Sequence, residues 1–262
     1  MNVIISDHTS KNSSNSVQSV ERALQILEIV ASHNKPTGIA EISKLSGLNR
    51  TTAWRLLLTL ENCGFVEKDR LSKGYQLGFK ASILCTDIRE QYAPLIHISQ
   101  PYMQELLEQY NEDILLTIPR FGGMLTIDQL HSNNAIMIRD YTMTLSPFHC
   151  SSNGKLFLGY LDEDELDIIL AEHMSPVTAK TITDPDILRA AIRKARADGY
   201  GTSIEENGDG ENGLSLPILM DETPYAFLNI SGPSFRFTED KMKECIPRTR
   251  QICREISLRI SH

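Results

Sequence analysis

The sequence predicts a mixed α/β (α+β) chain with an N-terminal winged helix-turn-helix domain, a helical linker and a larger C-terminal domain on an antiparallel sheet. Three observations predict it. Residues 17–78 string together a helix, a second helix, a glycine turn, a helix with a polar face and a short basic hairpin. Residues 79–94 keep helical spacing up to Pro94. From Ile114 onward the apolar period shortens to strand-like runs interrupted by helices, the pattern of sheet and helices layered in one domain.

The first domain is expected over 17–78, behind a Ser/Asn-rich flexible tail at 1–16. Val20, Ala23, Leu24, Leu27, Val30 and Ala31 recur at helical spacing. Lys35-Pro36-Thr37-Gly38 breaks the chain, and Thr37 is placed to cap a short helix carrying Ile39, Ile42 and Leu45. Ser46-Gly47-Leu48 makes the tight turn of a helix-turn-helix. Asn49 suits the N-cap of a third helix, because its side chain can accept a bond from an orphan backbone N–H. Ala53, Leu56, Leu57 and Leu60 form that helix's apolar stripe, leaving Arg50, Thr51, Arg55 and Thr59 opposite and Thr52 near the start. Gly64 suits a left-handed helix end. Residues 65–68 and 75–77 read as two strands around a basic tip, with Arg70 and Lys73 flanking it and Gly74 permitting a tight turn.

Such a helix can enter a major groove by its N-terminus while the hairpin lies over the backbone or the minor groove. Arg50 and Thr51 are then expected at base edges or adjacent phosphates, beside Asn49 and Thr52, with Arg55 on a phosphate. Arg70 and Lys73 are expected to touch DNA at the flank. Trp54 is expected either to pack or to touch the duplex. A small helical module with a solvated basic face shares the spacing but not the joint order of elements.

Charge supports this only when divided. The whole chain carries −8, which read naively argues against a nucleic-acid partner. Residues 17–85 hold 9 Lys+Arg against 6 Asp+Glu, or +3, whereas beyond 85 the counts are 16 and 27, or −11. Only the first module has to face phosphates. No run of 18 apolar residues is present, so no membrane partner is expected. The opening residues lack the apolar core and cleavage site of a signal peptide. Five cysteines, Cys63, Cys85, Cys150, Cys245 and Cys253, show no paired or metal-ligand spacing, which suggests reduced thiols and a cytoplasmic location.

In the remainder, a linker helix is expected from Phe79 through Tyr92 and a second helix over 95–110. Strands are expected at 114–118, 124–130 and 135–138, then near 200–206, 213–219 and 225–231. Helices are expected near 152–160, 163–173, 184–198 and 238–260.

Three stretches of the first domain, VQSVERALQILEIV, LNRTTAWRLLLTLENCGFVEK and YQLG, resemble the DNA-binding domain of the IclR family of bacterial transcription regulators. The resemblance implies a winged helix-turn-helix joined by a helical linker to a GAF-like effector-binding domain at 95–262, in a homodimer or tetramer. It continues in Leu145–His149 with Asn153-Gly154-Lys155, in Thr181–Tyr200 with its threonine-capped helix, and in Glu205-Glu206, Gly210, Pro217 and Ser231-Gly232-Pro233. Relatives that bind small organic acids use an acidic side chain, a Cys and two Ser. Carried over by motif, these fall on Ser203, Gly213, Asn229 and Ser231, and three of the four differ here. The resemblance therefore implies a pocket of His149, Asn153, Gly154, Ser203, Gly213, Asn229 and Ser231. Its altered chemistry suits a larger polyhydroxylated or mixed donor/acceptor effector, such as a sugar acid or other small organic acid, with backbone N–H groups near Asn153-Gly154 receiving any carboxylate.

Catalytic and cofactor readings are weaker. Ser152–Leu156 lacks the first glycine and the magnesium-binding hydroxyl of a phosphate loop. His149 and Cys150, if on a strand, point to opposite faces and cannot serve each other. The stretch beginning at 207–212 lacks the sixth-position glycine and twelfth-position glutamate of a calcium loop and reads as a turn. No catalytic residue, metal or cofactor is expected. The sequence thus predicts a regulator, more a repressor than an activator, that binds double-stranded operator DNA and answers to a small metabolite. An enzyme or a ligand-insensitive scaffold built on the second domain is the alternative.

Overall fold

A computed structural model describes residues 17–33, 35–84, 88–120 and 122–260, and the chain divides into two compact units at Asp87/Ile88. The tail at 1–16 and Cys85 lie outside the described residues.

In the first unit, α1 (Gln18–Ala31), α2 (Ile39–Ser46) and α3 (Arg50–Asn62) precede a two-stranded antiparallel sheet of β1 (Val66–Lys68) and β2 (Tyr75–Leu77). Ile26, Ile29, Val30, Ile42, Ala53, Leu57, Val66 and Tyr75 form its core. The α1 stripe is rotated from the expected one. Ile26 and Ile29 are buried, whereas Val20 and Leu24 are more than half exposed, because α2 and α3 cover only the C-terminal half of the helix. Gly47 ends α2 at φ +67°, and Phe65 N–H closes α3 by reaching back to Leu60 O at 2.8 Å around Gly64, φ +81°.

Thr37 does not cap α2. Its backbone pairs with Tyr75 through two bonds of 2.8 and 2.9 Å, so the segment before α2 lies beside the wing, and its hydroxyl donates to Lys35 O. That pairing also explains Gly74. The left-handed residue of the tip is Lys73 (φ +59°), while a Cβ on Gly74 would lie 2.7 Å from Pro36 backbone. Gly74 serves close approach rather than the turn. Within the expected linker, α4 (Phe79–Leu84) belongs to the first unit and α5 (Ile88–Gln91) to the second, and residues 85–87 between them lie outside the described residues.

In the second unit, α6 (Ala93–Tyr110) precedes the hairpin β3 (Asp113–Arg120) and β4 (Gly123–Leu130). Then follow β5 (Leu145–Ser146), α7 (Ser152–Leu158), α8 (Glu163–Leu170) and α9 (Pro185–Asp198). The chain ends in β6 (Gly201–Ile204), β7 (Glu211–Met220), β8 (Thr223–Pro233) and α10 (Glu239–Ile260). The strands make one antiparallel sheet in the order β5-β4-β3-β8-β7-β6. Even-numbered residues of β3, β7 and β8, among them Leu116, Leu214, Leu216, Leu228 and Ile230, point into the main core with α6 and α10. The opposite face meets α7, so period-2 alternation assigns the odd-numbered residues to that side.

Residues 135–138 are not a strand. Ile136 and Met137 are exposed, and the edge of β4 pairs with β5 instead. The segment is tied down by a side chain: Gln129 Oε1 accepts Tyr141 N–H at 2.8 Å and Gln129 Nε2 donates to Arg139 O at 3.2 Å. Its apolar residues still find cover, Ile138 packing with Leu115 and Tyr141. The helix at 185–198 is capped by Asp184, which accepts from Asp186 and Ile187 N–H at 2.9 and 3.0 Å. Thr181 instead donates to Glu206 O at 2.8 Å.

Candidate DNA-reading surface and effector cavity

The N-terminus of α3 is built as the sequence suggests locally. Asn49 Oδ1 accepts Thr52 N–H at 2.8 Å, and the stripe of Ala53 and Leu57 is buried. Asn49, Arg50, Thr51 and Arg55 are exposed and Thr52 is half-buried. Among the described residues no carboxylate lies in ion-pair contact with Arg50, Arg55, Arg70 or Lys73. Trp54 is half exposed and outside the core. The wing tip is shaped by Asp69, whose Oδ2 accepts Ser72 N–H at 2.6 Å, the Ser72 hydroxyl at 2.7 Å and Leu71 N–H at 3.1 Å. The Ser72 bonds, backbone first, hold that carboxyl below its ordinary range. The turn leaves Arg70, Leu71 and Lys73 pointing to solvent.

The second unit holds a small cavity, partly open to solvent, between the α7 face of the sheet and the loop before β5. The register builds its wall in rows. Ser203, Gly213 and Ser231 are cross-strand partners on β6, β7 and β8, and Ser215, Asn229 and Leu115 form the next row. Ser152 and Asn153 come from the start of α7, and Tyr141, Asn207 and Glu211 close one side.

Most side-chain donors here are already engaged. Asn153 Nδ2 donates to Thr117 Oγ1 at 2.8 Å, and Ser203 Oγ to Cys150 O at 2.9 Å. Tyr141 Oη donates to Glu211 Oε2 at 2.6 Å and receives a long bond from Asn207 Nδ2 at 3.4 Å. Burial pushes both the Tyr141 hydroxyl and the Glu211 carboxyl upward, because neither ion is easily formed away from water. Cys150 Sγ lies 3.3 Å from Asn207 Oδ1, and burial pushes this thiol up to about 12. It is an inert thiol, not a nucleophile.

Behind the cavity, Lys155 Nζ meets Glu206 Oε1 and Oε2 at 2.5 and 2.6 Å, both side chains buried. A second, outer groove of about 720 Å³ between α9 and α10 is also reached by Lys155, with Lys194 and Lys243. Each of these lysines is held by a carboxylate, of Glu206, Asp198 and Asp240 respectively.

The model of the IclR C-terminal domain of bacterial transcriptional regulators matches residues 91–258, and that of the IclR helix-turn-helix domain matches residues 19–70. The chain belongs to the IclR family of bacterial transcription regulators. IclR-family relatives include the transcriptional repressor IclR of Escherichia coli, 27% identical over 92% of this chain and 89% of its own length. The regulator KdgR of the same organism is 26% identical over 94% of each chain. Among solved structures, a putative IclR regulator from Silicibacter superposes with a TM-score of 0.72 at 26% identity, covering 93% of this chain and 96% of its own. An IclR homolog from Microbacterium hydrocarbonoxydans, solved with 4-hydroxybenzoate, shares the fold with a TM-score of 0.71 at 20% identity, over 92% and 98%. Among the described residues no helix is long and apolar enough to cross a membrane.

In this IclR-family chain the cavity brings together Asn153, Ser203, Gly213, Asn229 and Ser231. His149 does not join them. Its ring Nε2 sits 3.0 Å from Ser175 O, away from the wall, and burial lowers its basicity. Gly154 is also behind the wall: a Cβ there would lie 2.3 Å from Phe148 O, and its N–H is engaged by Asn153 Oδ1 at 2.9 Å and Ser151 Oγ at 3.2 Å. The expected role of the Gly154 N–H in receiving a carboxylate is therefore overturned. Sequence reasoning missed Tyr141 and Glu211. Glu211 was findable, since it lies two residues before Gly213 on one strand and so shares its face. Tyr141 carries no such signal, because it arrives from a loop.

Proposed function

We propose that this IclR-family chain is a ligand-responsive repressor that binds double-stranded operator DNA and releases it when a small metabolite occupies the cavity of the second unit. The observation that carries the reading is the cavity itself: a partly open cavity lined by polar side chains, in the unit that does not bear the basic helix, with Asn229 Oδ1 buried and unpartnered on its wall. Arg50 and Thr51 read base edges, Asn49 and Thr52 set the helix start against the backbone, Arg55 takes a phosphate, and Arg70 and Lys73 contact the flank. Asn153, Ser203, Gly213, Asn229 and Ser231 contact the effector. Repression is supported by relatives whose names state it, the E. coli IclR and the Klebsiella pneumoniae AllR repressors. The active form is a homodimer or tetramer, acting in the cytoplasm, so the operator is roughly palindromic.

Selection from a random pool of duplex DNA tests this. Enrichment of a two-fold motif with half-sites spaced by the helical repeat is the expected outcome. Retention of DNA without sequence enrichment contradicts operator reading.

A further inference from the structure

The cavity wall has an unusual polarity. Of the 14 residues lining it, only Leu115 and Gly213 lack a polar side chain, whereas small-molecule sites are mostly apolar with a few polar groups. Such a wall offers polar groups to most parts of a bound molecule and suits one that carries many polar groups of its own.

The hydrogen-bond inventory narrows the class. Asn229 Nδ2 is surrounded by Leu115 O at 3.2 Å, Thr117 Oγ1 at 3.0 Å and Phe227 O at 3.3 Å, three acceptors that fix which end of the amide is nitrogen. Its Oδ1 is left buried and unpartnered. The Tyr141 hydroxyl hydrogen is spent on Glu211, while Asn153 Nδ2 and Asn207 Nδ2 each give one of their two N–H groups to the protein and keep one. The open side-chain atoms thus include acceptors, Asn229 Oδ1 and the second oxygen of Glu211, beside the remaining amide N–H groups of Asn153 and Asn207. The hydroxyls of Ser152 and Ser231, which can donate or accept, have no partner in the protein and flank the space a Cβ on Gly213 would fill.

No Lys, Arg or His lines the wall. A carboxylate would share the chamber with the Glu211 carboxyl and find no cation on the wall itself, the Arg139 guanidinium being held 4.5 Å over the Tyr141 ring. An ammonium group donates only, so the serine hydroxyls could accept from it but would find no acceptor on it for their own hydrogens. Hydroxyl groups meet both demands, donating to Asn229 Oδ1 and Glu211 and exchanging bonds with Ser152 and Ser231.

We infer that the cavity takes an uncharged polyhydroxylated molecule, a sugar or polyol, whose hydroxyls donate to Asn229 Oδ1 and Glu211 and pair with Ser152 and Ser231. This rests on the cavity being the effector site and replaces the sugar acid suggested by sequence.

The test is calorimetry on the full chain with a fixed panel. It comprises neutral aldoses, ketoses and alditols of five and six carbons, their matched aldonic acids and amino sugars, and 4-hydroxybenzoate. Two variants accompany it: Ser231→Ala, which removes a hydroxyl that bonds nothing in the protein, and Gly213→Ala, whose Cβ would crowd Ser231 and Ser152 Oγ at 3.2 and 3.3 Å. Unchanged melting of both variants establishes that they fold. The expected result is saturable binding of at least one neutral member, tighter than its acid and amine counterparts, and weakened about tenfold by Ser231→Ala. Preference for an acid, an amine or the aromatic, or no binding by any neutral member, overturns the ligand class. If an acid binds and Ser231→Ala weakens it, the class fails while the cavity stands as the site. Binding indifferent to both variants overturns the cavity as the site and the inference with it.

Discussion

Replacing Lys155 by methionine keeps the aliphatic stem and deletes the charge that faces Glu206. The pair is buried, its side chains 5% and 9% exposed, and bidentate at 2.5 and 2.6 Å. Ile204 N–H, which donates to Glu206 Oε1 at 3.3 Å, cannot replace an ammonium. Removing one member of such a pair strands the other charge away from water, which costs about 3–5 kcal/mol. For a unit running from Ile88 to His262 that is a fall in Tm of roughly 6–20 °C, at about 2–4 °C per kcal/mol. Lys155 and Glu206 sit on α7 and on the turn after β6, the elements that carry Asn153 and Asn207 to the cavity, so effector response should fall with stability. The assay is thermal unfolding by far-UV circular dichroism, with the fluorescence of Trp54, the chain's only tryptophan, reporting on the first unit. The circular-dichroism transition of the second unit should drop while the tryptophan transition holds. Adding Glu206→Gln to Lys155→Met should recover most of the loss, since no charge is then left unpaired. A single variant that melts with the wild type, or a double variant worse than the single, refutes the reasoning.

Arg50→Ala should cost about 1–3 kcal/mol in operator binding and relax preference at one position, whereas Arg55→Ala should weaken all sequences alike and flatten the salt dependence by about one ion; binding titrations at several salt concentrations separate the two. Arg70→Ala with Lys73→Ala should lower affinity and shorten the footprint at its flanks while leaving major-groove specificity in place. Glu211→Gln should alter the pH dependence of stability. Because burial raises the Glu211 carboxyl above its ordinary 4.5, its protonated form is the one that folding favours, and that stability is lost as pH rises from about 4.5 through the folded value. Denaturant titrations from pH 4 to 8 should show the glutamine variant gaining on the wild type with rising pH, and a constant difference contradicts the assignment.

Local chemistry made the first unit legible. Asn49 followed by a polar-faced helix, Gly47 and Gly64 are decided within a few residues, and the cap and helix ends formed where such residues place them. What failed there depended on tertiary contact: Thr37 was drawn into pairing with Tyr75, and Gly74 was dictated by Pro36 rather than by the turn. In the second unit, strand alternation separated core from cavity on β3, β7 and β8. The apolar run 135–138 reads as a strand because composition cannot reveal that Gln129 has taken the place of a strand partner. The cavity was partly legible for the same reason. Asn229 and Ser231 came from the family resemblance and share one face of β8 two residues apart, whereas His149 is deflected by the turn before α7 and Tyr141 comes from a loop with no periodicity.

The central claim is that cavity and operator are coupled, and linkage tests it without reference to mechanism. Once an operator and an effector are in hand, the effector's affinity is measured by calorimetry on the full chain, free and saturated with operator, and operator affinity is measured with and without effector. Coupling requires the two ratios to be equal, and values of about 5–150-fold are usual for allosteric proteins. The expected result is matched ratios above one for the wild type and ratios near one for Asn229→Ala, with its operator affinity in the absence of effector unchanged. An effector that binds equally well with and without operator would contradict the claim.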